Sequence, residues 1–224
     1  MKIYHGSIDK IEKPKYGKGK RYNDYGLGFY CTEDIEVAKE WSCGEDHDGF
    51  ANEYELDMEG LKVLNLNTSE YTILHWLTVL LNNRTFRLTN PIAKDAKKYL
   101  LEHFNVNIED YDVAIGYRAD DSYFSFAEDF LNNAISVKKL KKAMYLGHLG
   151  EQVVLISEKS FERIHFLSAH GAERSKYYVL KMERDKAARE SYLNSDRGIS
   201  YDPGELYILD IMRQGVKEDD PRLR

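Results

Sequence analysis

Asp24-Tyr25-Gly26-Leu27-Gly28-Phe29-Tyr30 is a glycine turn feeding an aromatic strand. Its Gly-x-Gly pair looks like part of a phosphate loop, but the third glycine of a dinucleotide fingerprint is missing and no βαβ strand precedes it. Two readings stay open from this stretch alone. It launches a strand, or it lets a ligand approach a backbone flanked by flat rings. Downstream, Thr32 can cap a helix beginning at Glu33, whose acidic first turn suits the positive helix end. That helix presents Ile35, Ala38 and Trp41 on one face. Upstream, Lys10 to Asp24 is rich in Lys, Gly and Tyr and reads as a long loop. Before the loop, Ile3 to Ser7 reads as a short first strand. It carries His5-Gly6-Ser7, where the His ring can bond a hydroxyl and the Gly admits a ligand to the backbone.

Further along, Phe50, Tyr54 and Leu56, then Leu61 to Leu66, read as two strands. Ser69 opens an apolar helix through Leu81. Asn90-Pro91 starts another that runs to about Phe104. Tyr111 to Tyr117 reads as a strand, Phe124 to Tyr145 as two helices, and Gln152 to Ile156 as a short strand. Strands and helices interleave without a regular βαβ rhythm, which favours an α+β domain with a split or bent mixed sheet and flanking helices. Composition changes after about His170. Residues 1–170 read as the domain and 171–224 as a C-terminal helical extension packed on it, with a charged helix from Glu173 to Tyr192 and an apolar stretch from Leu206 to Met212.

The chain has 224 residues, 42% hydrophobic and 31% charged, which fits a soluble globular protein with one sizeable core. The net charge of −6 argues against a surface coated for nucleic acid, though a local basic groove is compatible with it. Two cysteines, Cys31 and Cys43, are too few for a disulfide framework and fit free thiols in a reducing compartment. No apolar segment follows Met1-Lys2 as in a secretory signal, and Tyr71 to Leu81 is too short to span a bilayer, so a cytoplasmic protein without membrane contact is expected. His47 with Asp46 and Asp48 lacks further ligands at metal spacing, so no metal is expected. A nucleotide P-loop, a Gly-x-Ser-x-Gly elbow and a His-Glu-x-x-His helix are absent, which argues against a phosphoryl or peptide hydrolase.

Glu151-Gln152 opens the later buried strand. Strand alternation sends the two side chains to opposite faces, so only one can point into a pocket. In order along the chain, His5-Gly6-Ser7, Tyr25-Gly26-Leu27-Gly28-Phe29-Tyr30, Trp41 and Glu151-Gln152 resemble the signature of ADP-ribosyltransferases of the diphtheria-toxin and poly(ADP-ribose) polymerase type. Residues 1 to about 170 also resemble a bacterial family catalogued as domain of unknown function 3990. That likeness is supported by Asn83-Arg84, Tyr111 to Gly116, Ala119-Asp120-Asp121 and Gln152 to Phe166.

The resemblance implies an ADP-ribosyltransferase-like fold and a mono-ADP-ribosyltransferase that consumes NAD, releases nicotinamide and modifies a macromolecular acceptor, protein or nucleic acid. It further implies a toxin-like or defence component with a small antitoxin protein as partner. His5 would bond a ribose hydroxyl, the Gly6 backbone the nicotinamide carboxamide, and Tyr30 and Trp41 would sandwich the nicotinamide ring, with Ser7, Tyr25 and Gly28 around them. Gln152 falls where the family's acid stands. It can hold a ribose but carries no charge, so Glu151, Asp120 or Asp121 would have to help, or the site is slow or inactive. Ala38 replaces a hydroxyl residue found in the polymerases. Asp120-Asp121 also reads as a turn or helix cap, and Arg84 as a phosphate partner or a helix C-cap. The Lys10–Arg21 loop reads as a lid or as a contact for an acidic target. A non-catalytic binding module and an NAD glycohydrolase are the alternative functions.

Overall fold

The computed structural model describes residues 1–119, 121–144, 150–196 and 204–224. Two sheets form its frame. In the first, β1 (Lys2–Ser7), β3 (Gly49–Leu56) and β7 (Ile164–Ala172) lie antiparallel in the order β1-β3-β7. In the second, β2 (Phe29–Cys31), β6 (Glu151–Leu155), β5 (Val113–Tyr117) and β4 (Val63–Asn65) follow the order β2-β6-β5-β4, with β4 parallel to β5 and the other pairs antiparallel. The sheets meet through one isolated bridge, in which Tyr4 N donates to Thr32 O (2.7 Å) and Thr32 N to Tyr4 O (2.9 Å). At the next residue His5 Nδ1 takes over, donating to Tyr30 O at 2.7 Å. The expected split mixed sheet is therefore present in an α+β chain.

Eight α-helices accompany the sheets among the described residues: α1 (Ile35–Ser42), α2 (Ile73–Asn83), α3 (Pro91–His103), α4 (Asp121–Leu131), α5 (Val137–Met144), α6 (Glu158–Glu162), α7 (Arg174–Asp196) and α8 (Ile208–Gln214). Every residue of α2 from Ile73 to Leu81 is buried, as expected of a helix apolar on all sides at the centre of a core. Trp76 and Leu77 of α2, Phe104 after α3, Phe126 and Phe130 of α4 and Leu140 of α5 belong to this main core. A second cluster joins the sheets: Ile3, Tyr54 and Leu56 from the first pack with Cys31, Val113, Val153 and Leu155 from the second. No helix among the described residues is long and apolar enough to cross a membrane.

Several local expectations shift. The cap of α1 is Asp34, whose side chain accepts from Glu36 N and Val37 N, because Thr32 is held extended by its bridge to Tyr4. The start of α2 moves from Ser69 to Ile73. Thr72 accepts from Leu74 N, and His75 Nδ1 accepts from Thr72 N at 2.9 Å, closing a reciprocal cap. Thr72→Ala removes the hydroxyl half of that cap. A loss of about 1 kcal/mol is expected, lowering the melting temperature by roughly 2–4 °C in a thermal scan. Strand β7 has no counterpart in the sequence reading. Its exposed Leu167 and the His and Ser residues on its half-buried positions break the polar–apolar alternation that marks a strand.

The expected boundary at residue 170 falls inside β7, which continues to Ala172 along β3. Beyond it, α7 leans on α1 through Arg184 to Glu40 (2.5 Å) and Tyr177 Oη to Glu36 (3.0 Å). Ile208, Ile211, Val216 and Leu223 are buried within the main core. The tail thus supplies interior side chains as well as cover.

Candidate functional site

A cleft of about 880 Å³ opens where the two sheets part beyond the Tyr4–Thr32 bridge. One wall is His5, Gly6 and Ser7 of β1, and the other is Gly28, Tyr30 and Gln152 from the second sheet. Trp41 of α1, Arg84 after α2, and Asp24 with Arg118 complete it, and the segment from Ile11 to Lys20 crosses it as a strap.

The backbone dictates much of this geometry. Strand alternation aims the main-chain N–H and C=O of Gly6 to the side used by Tyr4, where β2 no longer runs alongside. A side chain at position 6 would overlap Ala38 O and come within 2.9 Å of Ser42 N. The glycine is therefore required by the close approach of α1, which in turn brings Trp41 to the cleft. At Gly28 a Cβ would lie 2.6 Å from Val154 Cγ1 and 2.9 Å from Leu155 O, so that glycine seats β2 against β6.

Because the carbonyl of Tyr30 accepts from His5 Nδ1, the proton sits on Nδ1 and Nε2 is left as an acceptor. Burial lowers the affinity of this imidazole for a second proton, so the ring is neutral at physiological pH. His5 also stacks on Phe29, with ring centres 4.2 Å apart. Tyr30 is anchored at its tip: its hydroxyl donates to Gly26 O (2.6 Å) and accepts from Tyr25 N (3.1 Å). Burial pushes that phenol far above its usual range, so Tyr30 offers a fixed ring rather than a proton donor or base. The Arg118 guanidinium lies 4.2 Å from the centre of the Trp41 ring.

The two candidates at the head of β6 separate as alternation requires. Glu151 is exposed and pairs across the strand with Tyr117, while Gln152 is buried and lines the cleft. Tyr25 is not a wall residue. It is buried in the main core, and its hydroxyl donates to Tyr117 O at 2.9 Å, passing so close to Gly116 that a Cβ there would push it aside. Ser7 Oγ is engaged locally, donating to Asp9 O (2.7 Å) and accepting from Asn52 Nδ2 (2.9 Å). Arg84 is the C-cap of α2, where its main-chain N–H donates to Leu80 O, and it also lines the cleft. Asp121 begins α4, and Asp120 lies outside the described residues.

The residue that sequence reasoning passed over is Asp24. Its carboxylate is 5% exposed and lines the cleft. Oδ2 accepts from Ala119 N (3.0 Å) and from Gln152 Nε2 (3.1 Å), and Oδ1 lies 3.4 Å from Arg84 Nη1. Burial raises its proton affinity, opposed by the Ala119 N–H, Arg84, Gln152 and Arg118. The Gln152 amide is oriented by this contact, because a carboxylate can only accept; Oε1 is turned away from Asp24. Its position at the head of the glycine turn was the only hint in the sequence.

Buried polar groups are normally hydrogen-bonded, so exceptions point to sites. Among the described residues, the buried side-chain atoms without a hydrogen-bond partner are Asp24 Oδ1, Trp41 Nε1 and both amide atoms of Asn67. The first two belong to residues lining this cleft. No cluster of three or more His, Cys, Asp or Glu that could hold a metal ion is found among the described residues. In comparisons with known proteins, a family model described as "Protein of unknown function (DUF3990)" matches residues 1–166. No curated protein and no solved structure matches the chain.

Proposed function

The chain belongs to the DUF3990 family, and we propose that it is an NAD-dependent mono-ADP-ribosyltransferase with an ADP-ribosyltransferase-like split sheet. The observation that carries this reading is the convergence, in the cleft between the two sheets, of residues from distant parts of the chain. A neutral His5, the turned-out backbone of Gly6, the rings of Tyr30 and Trp41, and Gln152 held by Asp24 all face one space.

Each part has a task on the nicotinamide end of NAD. The N–H and C=O of Gly6 match the C=O and NH₂ of a carboxamide. Tyr30 and Trp41 supply faces for a flat ring, and such stacking contributes about 1–3 kcal/mol per base in nucleic-acid sites. His5 Nε2 accepts from one ribose hydroxyl, and Gln152 Oε1 from another. Nicotinamide leaves with the electron pair of its bond to the ribose C1′, and positive charge develops on the ribose as in glycoside cleavage. Asp24 supplies the negative charge that Gln152 lacks, close to that ribose and in a partly dry site where charge acts strongly. A lone pair of the acceptor then forms the new bond to C1′, and the acceptor's proton passes to solvent.

Nicotinamide release from NAD in the presence of cell lysate tests the reading. Gln152→Ala removes one ribose contact and is expected to slow release about fivefold, the effect of losing roughly 1 kcal/mol of hydrogen bonding. Glu151→Ala, altering an exposed side chain outside the cleft, is expected to stay within about twofold. Binding of NAD without release would instead support the binding-module alternative. Neither binding nor release from the wild type would end both.

A further inference from the structure

We infer that the acceptor is a single-stranded nucleic acid, laid across the cleft by the strap; this rests on the NAD reading of the cleft. The strap reads Lys13-Pro14-Lys15-Tyr16-Gly17-Lys18-Gly19-Lys20-Arg21-Tyr22. Glu12 is the one acidic residue between Lys10 and Asn23, in a chain whose net charge is −6. Lys13, Lys15, Lys18 and Lys20 line the cleft, and none of their ammonium groups forms an ion pair among the described residues.

The strap is a built surface. Ile11 N donates to Asn52 Oδ1 at 2.9 Å, and the Tyr54 hydroxyl donates to Ile11 O, which fixes its start. Tyr16 rests edge-on against Phe161 with ring centres 5.6 Å apart. Gly19 crosses so near the glycine turn that a Cβ there would lie 2.5 Å from Gly28 O. The lysines are thereby held over the mouth of the cleft.

Charge shows that NAD alone does not match this lining. The four lysines face one lining carboxylate, Asp24, which already lies 3.4 Å from Arg84. The diphosphate of NAD brings two negative charges, which leaves a cationic surplus for a second, polyanionic ligand. The aromatic content selects the kind of polyanion. Among the large hydrophobic side chains of the described residues, Tyr22 (76% exposed) and Tyr16 (52%) are the most exposed, and both sit within the strap. Bare rings spaced among lysines suit unstacked bases over a charged backbone, whereas an acidic peptide has no use for them. A duplex, with its bases already stacked, cannot use them either. The nucleophile is then a base nitrogen or a phosphate oxygen. It forms the bond to C1′ as nicotinamide departs, and any proton it loses goes to water.

The test pairs binding with transfer, on the full chain. Fluorescence anisotropy is measured with labelled single-stranded DNA, single-stranded RNA and a duplex of the same sequence, for wild type, a Lys15→Gln/Lys18→Gln/Lys20→Gln variant and a Tyr16→Ala/Tyr22→Ala variant. Wild type is expected to prefer one or both single strands over the duplex. The lysine variant should bind at least tenfold more weakly, with a salt slope smaller by about 2, as three lost phosphate contacts imply. The tyrosine variant should lose the preference for single strands over duplex. Each variant is expected to keep the wild-type melting curve, since these side chains are exposed. With radiolabelled NAD, label should move to the oligonucleotide.

Equal binding of duplex and single strand, or transfer of label to protein or acidic peptide while oligonucleotides stay unlabelled, overturns the inference and leaves the NAD reading intact. Oligonucleotide binding without nicotinamide release under any condition overturns the NAD reading, and the acceptor role falls with it.

Discussion

Asp24→Asn is expected to slow nicotinamide release on the order of a hundredfold or more, the usual cost of removing one preorganised electrostatic contact in a reacting site. The change keeps the shape of the side chain. Asn Oδ1 can still accept from Ala119 N and Gln152 Nε2, the bonds now made by Oδ2. What disappears is the charge, and with it the ion pair with Arg84. Stability should move the other way. The proton affinity of Asp24 is raised in the folded state, chiefly by burial. The stabilisation associated with that raised value is complete below the unfolded pKa and is lost as pH rises through the folded one. Above that folded pKa the carboxylate contributes none of it, and there the neutral Asn should melt at the same temperature as wild type or higher. The proposed transferase reading requires the ionised form, so the acid limb of the wild-type pH profile should lie above the ordinary carboxylate range and vanish in Asp24→Asn. A variant that melts early, or that releases nicotinamide at the wild-type rate, would count against a charge role for Asp24.

Gly6→Ala is expected to damage both the fold and the cleft. The added methyl would overlap Ala38 O and press on Ser42 N and Trp41 Cβ, which are 2.9 Å from its position. Two of these three are backbone atoms of α1, so no rotamer change relieves the contact. Relief means moving the helix off β1, at about 1–3 kcal/mol for overpacking of this kind. A fall in melting temperature of roughly 3–10 °C follows for a chain of this size. Trp41 moves with α1, so NAD affinity by calorimetry should drop at least tenfold even below the melting transition. A fully stable variant with intact affinity would show that the α1 contact yields easily and that Gly6 is not the register between helix and ring slot.

The parts of the fold legible in the sequence were those set by local chemistry. Asn90-Pro91 starts α3 where a capping Asn followed by Pro should, and the mixed element order pointed to a split sheet. Alternation required Glu151 and Gln152 to part company, and they do. Which of the two faces the cleft was not legible, because it depends on how β6 pairs with β2 and β5, a long-range register. Tyr25 looked like a ring for a ligand because it sits in the glycine motif. Burial against Trp76 and Gly116 decides otherwise, and those partners are far away in sequence. Asp24 escaped notice for the converse reason. A lone Asp before a glycine turn reads as turn chemistry until folding carries Gln152, Arg84 and Ala119 to it from positions 60 to 128 residues later. Strand β7 failed the alternation test because its faces meet neither plain solvent nor plain core.

The location of the interior side chains beyond residue 200 separates two units that are easily equated. Every residue lining the cleft lies at or before Phe161. Yet Leu206, Ile208, Ile211, Val216 and Leu223 fill the main core beneath it. A fragment cut after α6 would hold every cleft residue and lack part of the interior that keeps the walls in register. The smallest active piece of this chain is therefore set by what the interior needs, not by where the chemistry ends. Mutations of the interior residues among the last twenty should act as remote loss-of-function changes, by letting the walls drift apart although no cleft residue is altered.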